Sequence, residues 1–159
     1  MSEQKITPCL WFNFNAEEAL AHYLSIFAGG RILSTSRYGD AGPGPKGAVM
    51  AMLFEIEGQK FLALNGGPSF AFTPAISLIV DCQTQGEVDR LWDRLGEGGE
   101  PRQCGWITDK FGVTWQIVPS LIPKTIESGD AAAIARLMRA IMPMTKLDIA
   151  TLQAAVDGT

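Results

Sequence analysis

The sequence predicts an α+β fold made of two βαβββ modules with a helical extension at the C-terminus. Three observations carry this. Strand-like runs from Ile6 to Phe12 and from Ala75 to Cys82 are each followed by a segment with helical spacing of apolar residues. Tyr23 and Trp92 in those segments stand 69 residues apart, and so do the glycine pairs Gly29-Gly30 and Gly98-Gly99 that close them. Three short alternating runs then follow each glycine pair. A duplicated unit of strand, helix and three strands accounts for all three, with curved mixed sheets expected around one cavity. Module one is expected at about residues 5–67 and module two at about 73–122, together a domain over 1–122, with the extension over 123–159.

In the first module, Ala16, Ala19, Leu20, Tyr23, Ile26 and Phe27 share a helical face, with Asn15 placed as N-cap and Glu17 and Glu18 in the first turn. Strands are expected at Arg31 to Tyr38, Val49 to Ile56 and Lys60 to Asn65, the last two joined by Glu57-Gly58-Gln59. GDAGPGPKG, residues 39 to 47, is too rich in glycine and proline for a strand and reads as a mobile flap. In the second module, Val88, Leu91, Trp92 and Leu95 mark the helix. Its strands are expected at Glu100 to Gln103, Trp106 to Thr108 and Val113 to Pro119, with a turn at Asp109 to Gly112. Beyond Pro123 two apolar stripes, led by Asp130 and Asp148 as caps, include Ile134, Leu137, Met138, Ile141, Leu147 and Leu152. They are too apolar for a free tail and are expected to pack on the domain or on a partner subunit.

Composition narrows the function. A chain of 159 residues, 47% hydrophobic, suits one compact domain. Its 13 basic and 17 acidic residues are dispersed, which argues against nucleic acid as a partner. No apolar run approaches the roughly 20 residues of a membrane span, and the start lacks a charged leader with an apolar core, so a cytoplasmic protein with no membrane partner is expected. Cys9, Cys82 and Cys104 form no CxxC pair and read as buried, reduced thiols. His22, the one histidine, falls on the polar side of its helix and reads as solvent-facing; Cys104 reads as structural.

Strand alternation locates a candidate site. Ile76, Leu78 and Val80, Leu62 and Leu64, and Val113, Trp115 and Ile117 are expected to pack under the helices. The opposite faces carry Ala75, Ser77 and Ile79, Phe61, Ala63 and Asn65, and Thr114, Gln116 and Val118, a mixture suited to lining a ligand cavity or to internal pairing of polar groups. Trp11, Trp106 and Trp115 suit stacking on a ligand as well as ordinary core packing. Neither residues 39 to 47 nor Asn65-Gly66-Gly67 has the order or context of a phosphate or nucleotide loop.

The opening ITPCLWFNFNAEEALAHY, the central FLALNGGP and the run CGWITDKFGVTWQIVP from Cys104 to Pro119 resemble the vicinal-oxygen-chelate superfamily of glyoxalase I, bleomycin-resistance proteins and extradiol dioxygenases. Within it the chain closely resembles the PhnB-like group, many members of which are labelled demethylubiquinone methyltransferase. The resemblance implies a glyoxalase/bleomycin-resistance fold, a homodimer and a small-molecule ligand. Carried over from metal-using relatives, the ligand positions fall near Pro8 and Ser77 on the first strands and at Asn65 and Gln116 on the last. A register shifted by one residue would instead turn Cys9 and Trp11 to the cavity. Neither histidine nor carboxylate stands at Pro8, Ser77, Asn65 or Gln116, so no metal and no cofactor is expected. The ligand-binding residues expected are Asn65, Ser77, Gln116, Trp11 and Trp106. Metal-independent binding is the leading expectation, and an enzyme of the same superfamily, a methyltransferase as labelled or a metal-assisted lyase, isomerase or dioxygenase, is the alternative.

Overall fold

The structure is a computed structural model that describes residues 3–159. The chain divides into two compact units, one up to Phe72 and one from Thr73 onward. The first contains β1 (Cys9–Phe12), α1 (Ala16–Ile26), β2 (Arg31–Arg37), β3 (Val49–Ile56) and β4 (Gln59–Asn65). Its sheet has the order β1-β4-β3-β2, with β1 parallel to β4 and the other pairs antiparallel. The second begins with β5 (Ser77–Cys82), α2 (Gln85–Gly96), β6 (Glu100–Pro101), β7 (Trp106–Thr108) and β8 (Thr114–Pro119). Its sheet repeats the plan as β5-β8-β7-β6, again with one parallel pair, β5 with β8. Both sheets are four-stranded, mixed and open rather than closed barrels, and the duplicated βαβββ order read from the sequence is the fold.

One helix covers one face of each sheet. In the first unit α1 packs on β3 and β4 through Ala16, Ala19, Leu20 and Tyr23, none of which retains exposed surface. The sheet answers with Met52, Phe54, Phe61 and Ala63, all buried. Small side chains at Ala16, Ala19 and Ala63 let helix and sheet approach closely, and Phe54 stacks on Phe61 at 5.3 Å. The two-residue link Glu57-Gly58 has positive φ at both positions, 48° and 76°, the conformation that matches the twist of a hairpin. In the second unit α2 packs on β5, β7 and β8 through Val88, Leu91 and Leu95. Thr84 caps it by accepting from the Glu87 N–H.

The segment around residues 39 to 47 closes over Tyr38. Tyr38 N donates to Ala48 O and Gly47 N to Tyr38 O, so the loop is pinned at its base. A Cβ at Gly44 would lie 2.2 Å from the Tyr38 ring, and that ring is 5% exposed.

The extension comprises three helices, not two: α3 (Leu121–Glu127), α4 (Ala131–Ile141) and α5 (Ile149–Asp157). Pro123 is the third residue of α3, where its missing N–H has no helical partner to lose. Asp130 and Asp148 cap α4 and α5 with their carboxylates, as the sequence pattern predicts. Leu137, Ile141, Leu147 and Leu152 form a core of their own, with Cys104, Leu121 and Ile122 packed against it. Backbone bonds tie this core to the second unit: Cys104 N and Gly105 N donate to Met144 O and Thr145 O, each at 2.8 Å. Gln85 at the start of α2 completes the latch, donating to Leu147 O at 3.1 Å and accepting from Ile149 N at 2.8 Å.

Candidate functional site

The face of each sheet away from its helix is where a ligand could be held, and register decides which side chains reach it. In the second unit Ser77 lies beside Thr114 and Ile79 beside Gln116, while Trp106 and Thr108 lie beside Gln116 and Thr114 from the other side. Ser77, Ile79, Thr114 and Gln116 therefore share one face, with Leu78, Val80, Trp115 and Ile117 on the other, toward α2; Ile76, expected to pack with them, is instead 78% exposed and precedes the strand. Two rows run across the strands. The first reads Ile79, Gln116, Trp106 and then Arg102, whose N–H donates to Trp106 O. The second reads Ser77, Thr114, Thr108 and Glu100.

These rows are chemically linked. Gln116 Nε2 donates to Ser77 Oγ at 2.8 Å, Arg102 Nε donates to Thr108 Oγ1 at 2.6 Å, and Thr108 and Thr114 share a hydroxyl contact at 3.2 Å. Arg102 also faces Glu100 at 3.7 Å, both partly exposed. Strand alternation places Thr114 on this face, as expected; Arg102 and Thr108 were not expected there, although Thr108 alternates with Trp106 on the same strand.

The first unit differs from expectation in register. On β4 the buried side chains are Phe61, Ala63 and Asn65, so these turn toward α1, and Leu62 and Leu64 take the opposite face. On β1 Leu10 and Phe12 are buried, which leaves Cys9 and Trp11 on that opposite face, beside Leu62 and Leu64. The shifted register, not the one that placed Pro8 at the site, is the one formed. The cause is one residue of chain. Three residues, Asn13, Phe14 and Asn15, join β1 to α1, whereas Gln83 and Thr84 alone join β5 to α2. Phe14 absorbs the extra length at φ 59°. Helices therefore correspond at a spacing of 69 and first strands at 70, which reverses the faces.

Asn65 consequently serves α1. Its Oδ1 accepts from Ala16 N at 3.0 Å, while Nδ2 donates to Glu17 Oε1 at 2.6 Å and to Val49 O at 3.1 Å. Asn15, the expected cap, makes no side-chain cap bond; a residue 49 positions from Ala16 does the capping. Because Phe12 pairs with Asn65 and Cys82 with Pro119, the counterpart of Asn65 in the second unit is Pro119, and that of Gln116 is Leu62.

Trp11 is held by the chain that follows β4. Its Nε1 donates to Gly67 O at 2.9 Å, Phe70 meets it edge-on at 4.9 Å, and a Cβ on Gly66 would come within 2.4 Å of the indole. Trp115 belongs to the core, its Nε1 bonded to Asp109 Oδ2 at 2.9 Å. Asp109 also accepts from Phe111 N and Val113 N and so organises the β7–β8 turn. His22 is half-buried rather than solvent-facing, because its helix position borders Tyr23. Of the thiols only Cys82 is buried; Cys9 is exposed and Cys104 intermediate. Burial, reinforced by the nearby Glu87 and Asp81 carboxylates, pushes the Cys82 thiol up to about 12.

Among the described residues no three His, Cys, Asp or Glu side chains converge to hold a metal ion. The groups on the second unit's face are hydroxyls, an amide, an indole, a guanidinium and the single carboxylate of Glu100, which faces Arg102; one carboxylate beside a cation does not fit a divalent ion. Neither strand-to-helix connection contains a glycine, so neither fits the glycine-rich turn expected for a nucleotide-like methyl donor.

A sheet with one helix-covered face, repeated in each unit, is the plan of the glyoxalase/bleomycin-resistance superfamily. Residues 4–118 match the family described as 3-demethylubiquinone-9 3-methyltransferase, and the chain belongs to that family, the PhnB-like group. A putative 3-demethylubiquinone-9 3-methyltransferase, PhnB protein, from Bacillus cereus is similar at 38% identity and TM-score 0.67, over 74% of this chain and all (100%) of that one. The protein PA1353 from Pseudomonas aeruginosa shares the fold at 23% identity and TM-score 0.62, over 74% of this chain and 98% of its own. No curated protein matches the sequence.

Proposed function

We propose that the protein binds a small molecule on the second unit's sheet face, without a divalent metal, with Ser77, Gln116 and Trp106 in contact with it. The observation that supports this is the unspent bonding capacity of that face. Gln116 commits Nε2 to Ser77 and keeps Oε1 for a further donor, while Ser77 keeps its own proton. On a half-buried sheet surface water completes such bonds, and a bound polar ligand can take the place of that water. In this reading Asn65 and Trp11 act through the frame of the first unit, since both amide hydrogens of Asn65 and the indole N–H of Trp11 are taken within the chain. We place the protein in the cytoplasm as a homodimer. Ile126, Met138 and Met142, exposed on α3 and at the C-terminal part of α4, support a second copy as partner, and among the described residues no helix is long and apolar enough to cross a membrane.

The test is a fragment screen read by side-chain NMR in the presence of EDTA. Shifts of the Gln116 amide and the Trp106 indole that saturate and ignore EDTA are expected. Shifts that appear only on adding zinc, nickel or manganese would overturn the metal-free reading. S-adenosylmethionine belongs in the screen, and its saturable binding would favour the methyltransferase description instead.

A further inference from the structure

We infer that the ligand of this face carries an oxyanion, a carboxylate or a phospho group, seated between Arg102 and Trp106, with an apolar portion lying toward Ile79. The inference rests on the binding reading above and adds the ligand's chemical class. Each side chain on this face has bonding capacity left to give. Arg102 donates Nε to Thr108 Oγ1, which fixes the guanidinium across the two rows; among the described residues its Nη2 has only Glu100 at 3.7 Å, beyond hydrogen-bond length, and Nη1 makes no bond. Among the described residues the Trp106 indole N–H meets no hydrogen-bond acceptor, and Ser77 retains its hydroxyl proton. Against these donors stand the Gln116 Oε1 acceptor and, at the solvent edge, the Glu100 carboxylate. A face with a forked cation, an indole N–H and a hydroxyl is donor-rich, and planar guanidinium matches a carboxylate or phospho group edge to edge.

Order along the row gives the ligand its polarity. Arg102, just past the end of β6, is followed by Trp106, Gln116 and Ile79 across β7, β8 and β5, with neighbouring strands roughly 4.8 Å apart. An anion at one end therefore directs the rest of the molecule over an indole and an amide toward Ile79, which is 64% exposed. Glu100 is the competing charge. It lies 3.7 Å from Arg102 with its side chain 72% exposed, a pairing that solvent weakens and that an incoming oxyanion displaces. The chain carries a net charge of −4, so attraction for an anion must arise locally, at Arg102.

The test titrates the full chain with inorganic phosphate and, separately, with acetate at constant ionic strength, following the Arg102 Nε–H and Trp106 Nε1–H signals. Saturable shifts of both are expected with at least one anion, and the stronger of the two names the group. Arg102→Gln should weaken that binding about tenfold or more, Arg102→Lys by less, and Glu100→Gln should tighten it. Anion binding that is unchanged in Arg102→Gln, or that tracks ionic strength without saturating, overturns the inference. Shifts at Gln116 and Ser77 with neutral fragments but none with either anion would overturn the oxyanion and leave small-molecule binding standing. A face silent to all probes overturns both.

Discussion

Asn65→Ala and Asn65→Asp separate a capping role from a ligand-contacting one. Alanine removes the acceptor of Ala16 N and the donor to Val49 O. Ala16 has no exposed surface, Asn65 is 2% exposed, and water has little access to repair either loss. With an orphaned buried group costing about 1 to 3 kcal/mol and a lost N-cap about 1, Asn65→Ala should cost about 2 to 4 kcal/mol. Aspartate preserves the acceptor but sets a second carboxylate where Nδ2 now lies 2.6 Å from Glu17 Oε1. Two carboxylates at that distance raise the folded-state pKa of the new group above its unfolded value of about 3.9. By linkage the penalty is then full above the folded pKa and fades as pH falls toward the unfolded one. Urea denaturation followed by far-ultraviolet circular dichroism at neutral and mildly acidic pH measures both effects. A stability for Asn65→Ala within about 0.5 kcal/mol of the parent, below the cost of any lost cap, would refute the capping account. So would an Asn65→Asp penalty that does not lessen in acid.

Glu57 at φ 48° pays the left-handed cost that asparagine tolerates, so Glu57→Asn should stabilise by about 0.5 to 1 kcal/mol in the same denaturation assay. Gln85→Ala should free α5 from α2, seen as faster hydrogen exchange at Ile149 N and through residues 149–157, with the first unit's exchange unchanged. The Asp89 carboxyl, held below its usual value by Gln85 and Lys146, and that of Asp148, held low by Thr151, make their contribution above the ordinary carboxylate pKa; it is lost as pH falls through the lower folded values. Protection of α5 should therefore drop in acid, and less steeply in Asp89→Asn. Cys82 should resist a thiol reagent in the native state while Cys9 reacts, since the Cys82 thiolate is strongly disfavoured at neutral pH; equal labelling rates would contradict its burial.

The architecture was legible in the sequence because duplicated spacing and periodicity are local signals. Val49–Ile56 and Trp106–Thr108 fall where alternation predicts them, and Asp130 and Asp148 cap the helices they precede. What was not legible is which face of β1 and β4 meets α1. Leu62 and Leu64 are more apolar than Ala63 and Asn65, and hydrophobicity alone assigns them to the core. Close helix approach instead selects Ala63, and the helix N-terminus needs an acceptor, which Asn65 supplies from 49 residues away. One added residue before α1 then shifts the strand against the helix, an offset that a correspondence measured between helices cannot register. Arg102 was missed for a related reason, since it enters the site through the pairing of a two-residue strand.

The two units, built alike, now present opposite chemistries. Where the second carries Ile79, Gln116, Trp106 and Arg102 across its free face, the first carries Cys9, Leu62, Leu53 and Ser34. The first row holds one polar group, the exposed Ser34 hydroxyl, whereas the second holds a guanidinium, an indole N–H and an amide with bonding capacity that the described residues do not use. Gln116→Leu, which installs the first unit's residue in the second, therefore distinguishes a functional amide from a structural one. It deletes one hydrogen bond, to Ser77, whose half-buried hydroxyl water can reach, and it adds apolar contact beside Ile79 and Trp106. The two changes nearly cancel, so stability should move by less than about 1 kcal/mol. Saturable ligand shifts at Trp106 should be lost in the same variant, the pattern of a residue kept for binding rather than for folding. A loss of more than about 2 kcal/mol, the cost of an unmet buried polar group, would mean that Gln116 and Ser77 serve the sheet and not a ligand.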